Sequence, residues 1–190
     1  MDLFERALAF ALKAHEGQTR KKNDIPYILH PCEAAAIAAT LTADREILSA
    51  VVLHDTVEDT AVTEDDIRRA FGERIAQLVL CETEEGFPDL PRSASWRLRK
   101  ESSLEHLAST ADIGVKVMWM ADKLSNMRSF YQLYLREGDA MWRSFNQQSI
   151  PDQEWYYRSI AALLSEFADT PAHREYCTLM NVIFGGKHEN

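Results

Sequence analysis

Apolar residues recur along most of this chain at intervals of three and four, the spacing of one face of an α-helix. Phe4, Ala7, Leu8, Ala11 and Ala14 make the first such face, which ends near Gly17. Pro31 stands at the first position of an alanine-rich helix predicted to reach Leu41, whose small side chains permit close approach of neighbouring helices. Thr42 is the expected cap of the next helix, with Asp44 and Glu46 in a first turn where the helix dipole favours negative charge. Thr63 and Asp66 have the spacing of a capping box ahead of Ile67, Ala70 and Phe71, and Gly72 can end that helix. Further helices are predicted from Ser95 to about Ala108, Val115 to about Arg136, Asp152 to about Phe167 and Ala172 to about Phe184.

Period-two alternation is scarce. Gln18 to Leu29 is the best hairpin candidate, with a basic start, an Asn23-Asp24 turn and then Ile25-Pro26-Tyr27-Ile28. Glu84 to Ala94, with Gly86, Pro88 and Pro91, reads as a loop, and so does Gly138 to Pro151. No internal repeat or low-complexity tract interrupts the pattern. The expected fold is all-α, one domain over residues 1–190 with a short hairpin near residues 18–29.

Composition narrows the function classes. The 190 residues are 46% hydrophobic and 27% charged, a globular balance rather than a disordered one. A formal charge of −9 disfavours broad nucleic-acid binding but leaves room for a local basic patch and a small anionic ligand. Cys32, Cys81 and Cys177 are odd in number and form no CxxC pair, so reduced thiols in a cytoplasmic protein are expected. No apolar run is long enough to cross a bilayer, and the N-terminus has no signal-like core, so no membrane association is expected. Composition sets no oligomeric state.

The chemistry concentrates after an apolar run. Ile47 to Leu53 leads into His54-Asp55-Thr56-Val57-Glu58-Asp59-Thr60. If the helix continues, Asp55, Glu58 and Asp59 share a face and His54 stands beside Glu58. Two like charges 4 Å apart cost roughly 4 kcal/mol at an effective dielectric of about 20, so burying the cluster calls for a cation or raised pKa values. A solvated acidic helix end is the plain alternative. His30 precedes a helix start, where a structural histidine is the common case. Asp122 interrupts an apolar helix, with Asn126 and Ser129 on its face, and Lys123 is expected to lie too close in sequence to face it. Together His30, His54, Asp55 and Asp122 supply two imidazoles and two carboxylates for one divalent ion, a set that also suits Fe²⁺, Co²⁺ or Zn²⁺.

His30-Pro31, His54-Asp55 and Asp122, in that order, resemble the H…HD…D signature of HD-domain metal-dependent phosphohydrolases. Gly17-Gln18-Thr19-Arg20, Pro26 to Pro31, His54 to Thr60, Phe71-Gly72 and Ala121 to Arg128 are similar, more narrowly, to the hydrolase half of the Rel/Spo-type (p)ppGpp enzymes and to the stand-alone small alarmone hydrolases. The resemblance is strongest from about Ala7 to Met127, and the His54–Thr60 block carries most of its specificity.

That resemblance implies a helical HD bundle and hydrolysis of a nucleotide 3′-diphosphate to GDP or GTP and pyrophosphate. It implies His30, His54, Asp55 and Asp122 as ligands of Mn²⁺, and Glu58 and Asp59 as the acidic pair beside the attacking water. Arg20 and Lys21 match basic residues around base and phosphates, Asn126 a nucleotide-contacting asparagine and Tyr156 an aromatic of the same pocket. The sequence departs from the family where the loop after Arg20 lacks a glycine, where Ser125 replaces a histidine common in the long enzymes, and from Pro88 to Trp96 and Trp142 to Asp152. No nucleotide-synthesising domain is expected in these residues. Competing readings are the same metal chemistry on an adenosine 3′-diphosphate nucleotide or a phosphorylated cofactor, a nucleotide sensor without turnover, and a structural helical module.

Overall fold

Seven consecutive buried residues, Ile47 to Leu53, mark the helix around which the first part of the protein is built. A helix apolar on every side must be covered on every side. The computed structural model describes residues 1–20, 24–83, 89–91 and 94–185. Their helices are α1 (Leu3–Ala14), α2 (Leu29–Ala38), α3 (Arg45–Leu53), α4 (Thr56–Asp59), α5 (Glu64–Phe71), α6 (Glu73–Leu80), α7 (Trp96–Ser109), α8 (Ile113–Glu137), α9 (Ile150–Leu163) and α10 (Pro171–Phe184). The chain divides into two compact units, one of Met1–Thr83 with Ala111–Ser125 and one of Glu84–Thr110 with Asn126–Asn190, and the boundary falls inside α8. Among the described residues there is no strand, as the all-α reading expects, and no helix long and apolar enough to cross a membrane.

In the first unit α1, α2 and α6 pack on α3. The approach is close because the contact faces are small: Ala7 and Ala11 of α1 and Ala34, Ala35 and Ala38 of α2 are all buried. At the other end of the unit, Arg74 of α6 makes a two-pronged ion pair with Asp112, just before α8. The Arg74 guanidinium and Leu78 press so near Gly114 that a β-carbon there would sit 3.1 Å from each.

The second unit is held by aromatic packing. Trp142 stacks on Phe184 of α10 at 5.5 Å, and Phe130 meets Trp142, Phe145 and Tyr157 edge-on. Tyr157 stacks on the same Phe184. Such pairs add about 0.5–1.5 kcal/mol each beyond the area they bury. Arg128 pairs with Glu175 through two hydrogen bonds of 2.7 and 2.8 Å, but both side chains are more than a third exposed, so the pair fixes geometry more than it stabilises.

Local chemistry sets the helix boundaries. Thr63 and Asp66 form the expected capping box, and Gly72, at φ +92°, ends α5 and starts α6 in a backbone region that side chains disfavour. Removing that cap by Thr63→Ala should cost about 1 kcal/mol, read as a lower urea midpoint with an unchanged slope. The α3 cap is Asp44 rather than Thr42: its carboxylate accepts from the Glu46 and Ile47 amides, while Thr42 Oγ1 accepts from the Asp44 amide one step earlier. Pro31 lies in the third position of α2, and that helix ends at Ala38.

Two further expectations are corrected, and a third, the short hairpin, is met by a single bridge. The segment after Glu137 is not a plain loop, since Gly138–Ser144 forms a 3-10 helix that buries Met141 and Trp142. The last turn predicted for α9 is separate, as a 3-10 turn at Ser165–Phe167. Near residues 18–29 the described residues form one antiparallel bridge, Thr19 to Pro26, flanked by Arg20 N–H to Ile25 O and Tyr27 N–H to Gln18 O. The connecting Lys21, Lys22 and Asn23 lie outside the described residues, as do most of the Glu84–Ala94 positions.

Candidate metal centre

The helix carrying the apolar run does not continue through the acidic segment. Thr56 Oγ1 donates to the Leu53 carbonyl at 2.7 Å, taking up the bond that a further turn of α3 would have used. The chain turns at His54 and Asp55 and restarts as the single turn of α4. Asp55, Glu58 and Asp59 therefore do not form the continuous helical face expected. The turn sends Asp55 toward the histidines, whereas Glu58 and Asp59 are exposed on α4.

Four donors from three places in the chain converge in this first unit. His30 comes from the start of α2, His54 and Asp55 from the turn after α3, and Asp122 from α8. His30 Nε2 lies 3.0 Å from Asp122 Oδ1 and 3.6 Å from Asp55 Oδ2. His54 Nε2 lies 3.0 Å from Asp55 Oδ2 and 3.5 Å from Asp122 Oδ1. The imidazole rings meet edge-on at 5.2 Å, and ligand atoms of His30, His54 and Asp122 all fall within 4.8 Å of one another, a set able to hold a metal ion.

The hydrogen bonds behind the rings decide which nitrogen faces inward. His54 Nδ1 lies 2.7 Å from the Val51 carbonyl, which can only accept, so Nδ1 carries hydrogen. A neutral His54 then turns the lone pair of Nε2 toward two carboxylate oxygens. Lone pairs facing lone pairs in a buried site repel unless a cation stands between them. A proton can play that part, and so can a divalent metal, for which neutral imidazole and carboxylate are suitable donors.

The ionisation pattern follows. Burial pulls the His54 pKa down, but Asp55 and Asp122 together overcome it and hold the group well above its ordinary value. For His30, burial outweighs the same two carboxylates and the pKa falls. Burial also opposes ionisation of Asp55 and Asp122, yet both stay ionised to unusually low pH. The histidines hold Asp55, and Lys123 with the histidines holds Asp122. Lys123 does reach its neighbour, contrary to the sequence expectation. Its flexible stem folds back so that Nζ bonds Asp122 Oδ2 while lying 4.7 Å over the Trp119 ring, leaving Oδ1 for the histidines.

A pH dependence results. A raised folded-state pKa contributes stability that is complete below the unfolded value and is lost as pH rises through the folded one. Above pH 6.5 the metal-free protein should thus lose the His54 share progressively, while the opposite His30 share is already complete. The expected result is a melting temperature that declines from pH 6.5 upward without metal and declines less with a divalent ion bound. The same competition predicts that metal binding releases protons, measurable by calorimetry in buffers of different ionisation enthalpy.

Three residues outside the expected site join it. Tyr27 OH lies 2.6 Å from Asp55 Oδ2 and 2.8 Å from Asp59 Oδ2, linking the inner carboxylate to the exposed acid. Burial, then Asp55 and Asp59, keep the phenol protonated far beyond neutral pH. Gln18 Nε2 donates to the Asp59 carbonyl at 2.8 Å and fixes α4 from the Thr19 bridge side. Glu82, just past α6, has both carboxylate oxygens buried with no hydrogen-bond partner; burial, reinforced by Asp122, pushes its pKa up to about 7. A carboxylate following the apolar Leu78-Val79-Leu80-Cys81 was the signal in the sequence for Glu82, and the Pro26–Pro31 block was the signal for Tyr27.

The remaining expected contacts are distributed as follows. Arg20 lies with its guanidinium 5.8 Å from the Tyr27 ring centre, and Tyr27 also stacks on His15. Lys21 is outside the described residues. Asn126 opens the second unit's part of α8 and is half-buried. Tyr156 is buried in the second unit against Trp96, with Lys100 Nζ 4.7 Å over its ring.

A helical scaffold that turns two histidines and two aspartates on one point defines a class, and the family comparison agrees with it. The HD domain family matches residues 7–147, and the chain belongs to that family. Within it, the chain is similar to the guanosine-3′,5′-bis(diphosphate) 3′-pyrophosphohydrolase of Haemophilus influenzae, 38% identical over 128 residues, 65% of this chain and 18% of that protein. The chain thus spans under a fifth of the curated relatives it matches. A crystal structure from Listeria monocytogenes is 31% identical and superposes with a TM-score of 0.70 over 82% of this chain and 99% of the other. The structure of a metazoan ortholog of SpoT, described as hydrolysing ppGpp, superposes with a TM-score of 0.75 over 96% of both chains. At 22% identity that likeness concerns the fold.

Proposed function

We propose that this protein is a metal-dependent hydrolase that removes the 3′-diphosphate of (p)ppGpp, releasing pyrophosphate and GDP or GTP. The observation that carries the reading is the convergence of His30 Nε2, His54 Nε2, Asp55 Oδ2 and Asp122 Oδ1, two imidazole nitrogens set against two carboxylates. The names of the relatives, which include a bifunctional (p)ppGpp synthase/hydrolase SpoT from Escherichia coli, support the substrate class. On this reading those four side chains hold one divalent ion, Mn²⁺ by family resemblance, and residues 1–190 act as a single hydrolase domain in the cytoplasm.

A divalent cation held by His30, His54, Asp55 and Asp122 would supply Lewis acidity, which polarises a phosphoryl oxygen and lowers the pKa of water toward about 7. The chain's own residues do the rest. Glu58 and Asp59 follow Asp55 on α4, and in the proposal they orient the attacking water and accept its proton. Tyr27 and Gln18 hold Asp59 in that position. The water oxygen bonds to the phosphorus attached to the ribose 3′-oxygen. The bond from that phosphorus to the 3′-oxygen breaks, and the 3′-oxygen leaves as a hydroxyl after taking a proton. Arg20 and Lys21 offset the substrate's charge, which a chain of net charge −9 would otherwise repel. Arg20 can also stack on the purine; Asn126 and Tyr156, matched to nucleotide contacts by the family resemblance, belong to the second unit.

The test is to incubate Mn²⁺-loaded protein with 3′-pyrophosphorylated and 3′-phosphorylated nucleotides of guanine and adenine and to identify the inorganic product. Pyrophosphate with GDP or GTP from the guanosine compounds is expected. Orthophosphate released only from a 3′-phosphorylated cofactor, or nucleotide binding without turnover, would overturn the assignment.

A further inference from the structure

We infer that Ser125 and Glu33 form a positioning relay that fixes the tautomer of His30 and thereby sets the affinity of the metal centre. The inference rests on the metal-site reading above and concerns residues that touch neither the cation nor the substrate.

The geometry allows one arrangement of hydrogens. Ser125 Oγ lies 2.6 Å from Glu33 Oε2 and 2.8 Å from His30 Nδ1. A serine hydroxyl has one hydrogen to give, and an ionised carboxylate can only accept. The hydrogen therefore goes to Glu33, and the Ser125 oxygen accepts from His30 Nδ1–H. This leaves the Nε2 lone pair pointing at Asp122 Oδ1 and Asp55 Oδ2, the orientation a metal ligand needs.

Both histidines thus present the same nitrogen inward by different means. His54 is locked by a backbone carbonyl, Val51 O, which no side-chain substitution removes. His30 depends on two side chains, one from α8 and one from α2 itself. Ser125 is fully buried, and the helix that brings it in also carries Asp122, so one element supplies a donor and orients another. Partners that hold the outer nitrogen of a metal-binding histidine commonly account for 10–100-fold in affinity.

Without the Glu33 charge the serine hydroxyl is free to turn and donate to Nδ1. His30 would then carry its hydrogen on Nε2, facing the carboxylates, with no lone pair to offer. Glu33→Leu keeps a side chain of similar size on α2 but offers the hydroxyl no acceptor, and should produce this inversion. Ser125→Ala removes the acceptor altogether and leaves the ring less fixed.

The experiment measures Mn²⁺ dissociation constants by titration with paramagnetic resonance detection, together with ¹⁵N–¹H spectra of the His30 ring in metal-free protein. The parent chain should bind one ion and show His30 protonated on Nδ1. Glu33→Leu and Ser125→Ala should each weaken Mn²⁺ binding by roughly 10–100-fold while circular dichroism and metal-free melting stay close to the parent. The Nδ1–H signature should be lost in Glu33→Leu, and combining the two changes should add little. Parent-level affinity in both variants, or an unchanged His30 tautomer in Glu33→Leu, would overturn the relay. A parent chain that binds no Mn²⁺ would instead overturn the metal-site reading.

Discussion

Asp122→Asn should abolish turnover and weaken divalent-metal binding by roughly 100-fold while the helical spectrum survives. Four-ligand structural zinc sites gather about 10–16 kcal/mol, so one charged ligand accounts for roughly 3 kcal/mol, about two orders of magnitude in affinity. Asp122 is the strongest choice because it serves two partners. Oδ1 faces both imidazoles and Oδ2 takes the Lys123 ammonium. Asparagine keeps the shape of the side chain but cannot balance either cation. Metal titration and steady-state kinetics on the same preparation check the prediction, and a variant with parent affinity would remove Asp122 from the ligand set.

The second large effect is expected at Glu58→Gln, where metal affinity should hold and the rate should fall by about 10²–10⁴-fold, the usual range for losing a general base. The separation of the two readouts follows from the turn at His54 and Asp55. It carries Asp55 inward to the histidines and leaves Glu58 exposed on α4, outside the four-donor cluster. An unchanged rate would exclude Glu58 from proton transfer. A loss of metal would move it into the ligand set.

The sequence made much of this legible, for identifiable reasons. Helical periodicity is a local property, so α1, α7, α8 and α10 appear within a few residues of their observed bounds. The Thr63–Asp66 capping box and the Gly72 stop are equally local. The His30, His54, Asp55 and Asp122 cluster could be suspected because polar groups of complementary chemistry interrupt apolar surroundings. What stayed hidden depends on competition or on distance along the chain. Asp44 and Thr42 compete for one cap, and only the backbone decides between them. The end of α3 depends on Thr56 capturing a carbonyl. Lys123 folds back because Asp122 is buried beside it, which an ideal helix projection does not represent. Ser125 and Glu33 meet across 92 positions of sequence, so neither looks functional by itself.

The energetic cost of the centre is visible in its surroundings. Histidines and aspartates in a buried cluster oppose one another unless protons or a cation balance them, and Glu82 adds another buried carboxylate whose charge is disfavoured. The apolar shell that supports the cluster is correspondingly rigid: α3 is buried along its last seven residues, and α1, α2 and α6 cover it. A preorganised site of this kind holds its donors in place before any ligand arrives.

Anomalous diffraction at the manganese absorption edge, from crystals grown with Mn²⁺, decides whether these four side chains hold the ion. One strong peak is expected at coordination distance from His30 Nε2, His54 Nε2 and carboxylate oxygens of Asp55 and Asp122. No peak at that point under saturating metal, or a peak held by other side chains, would contradict it.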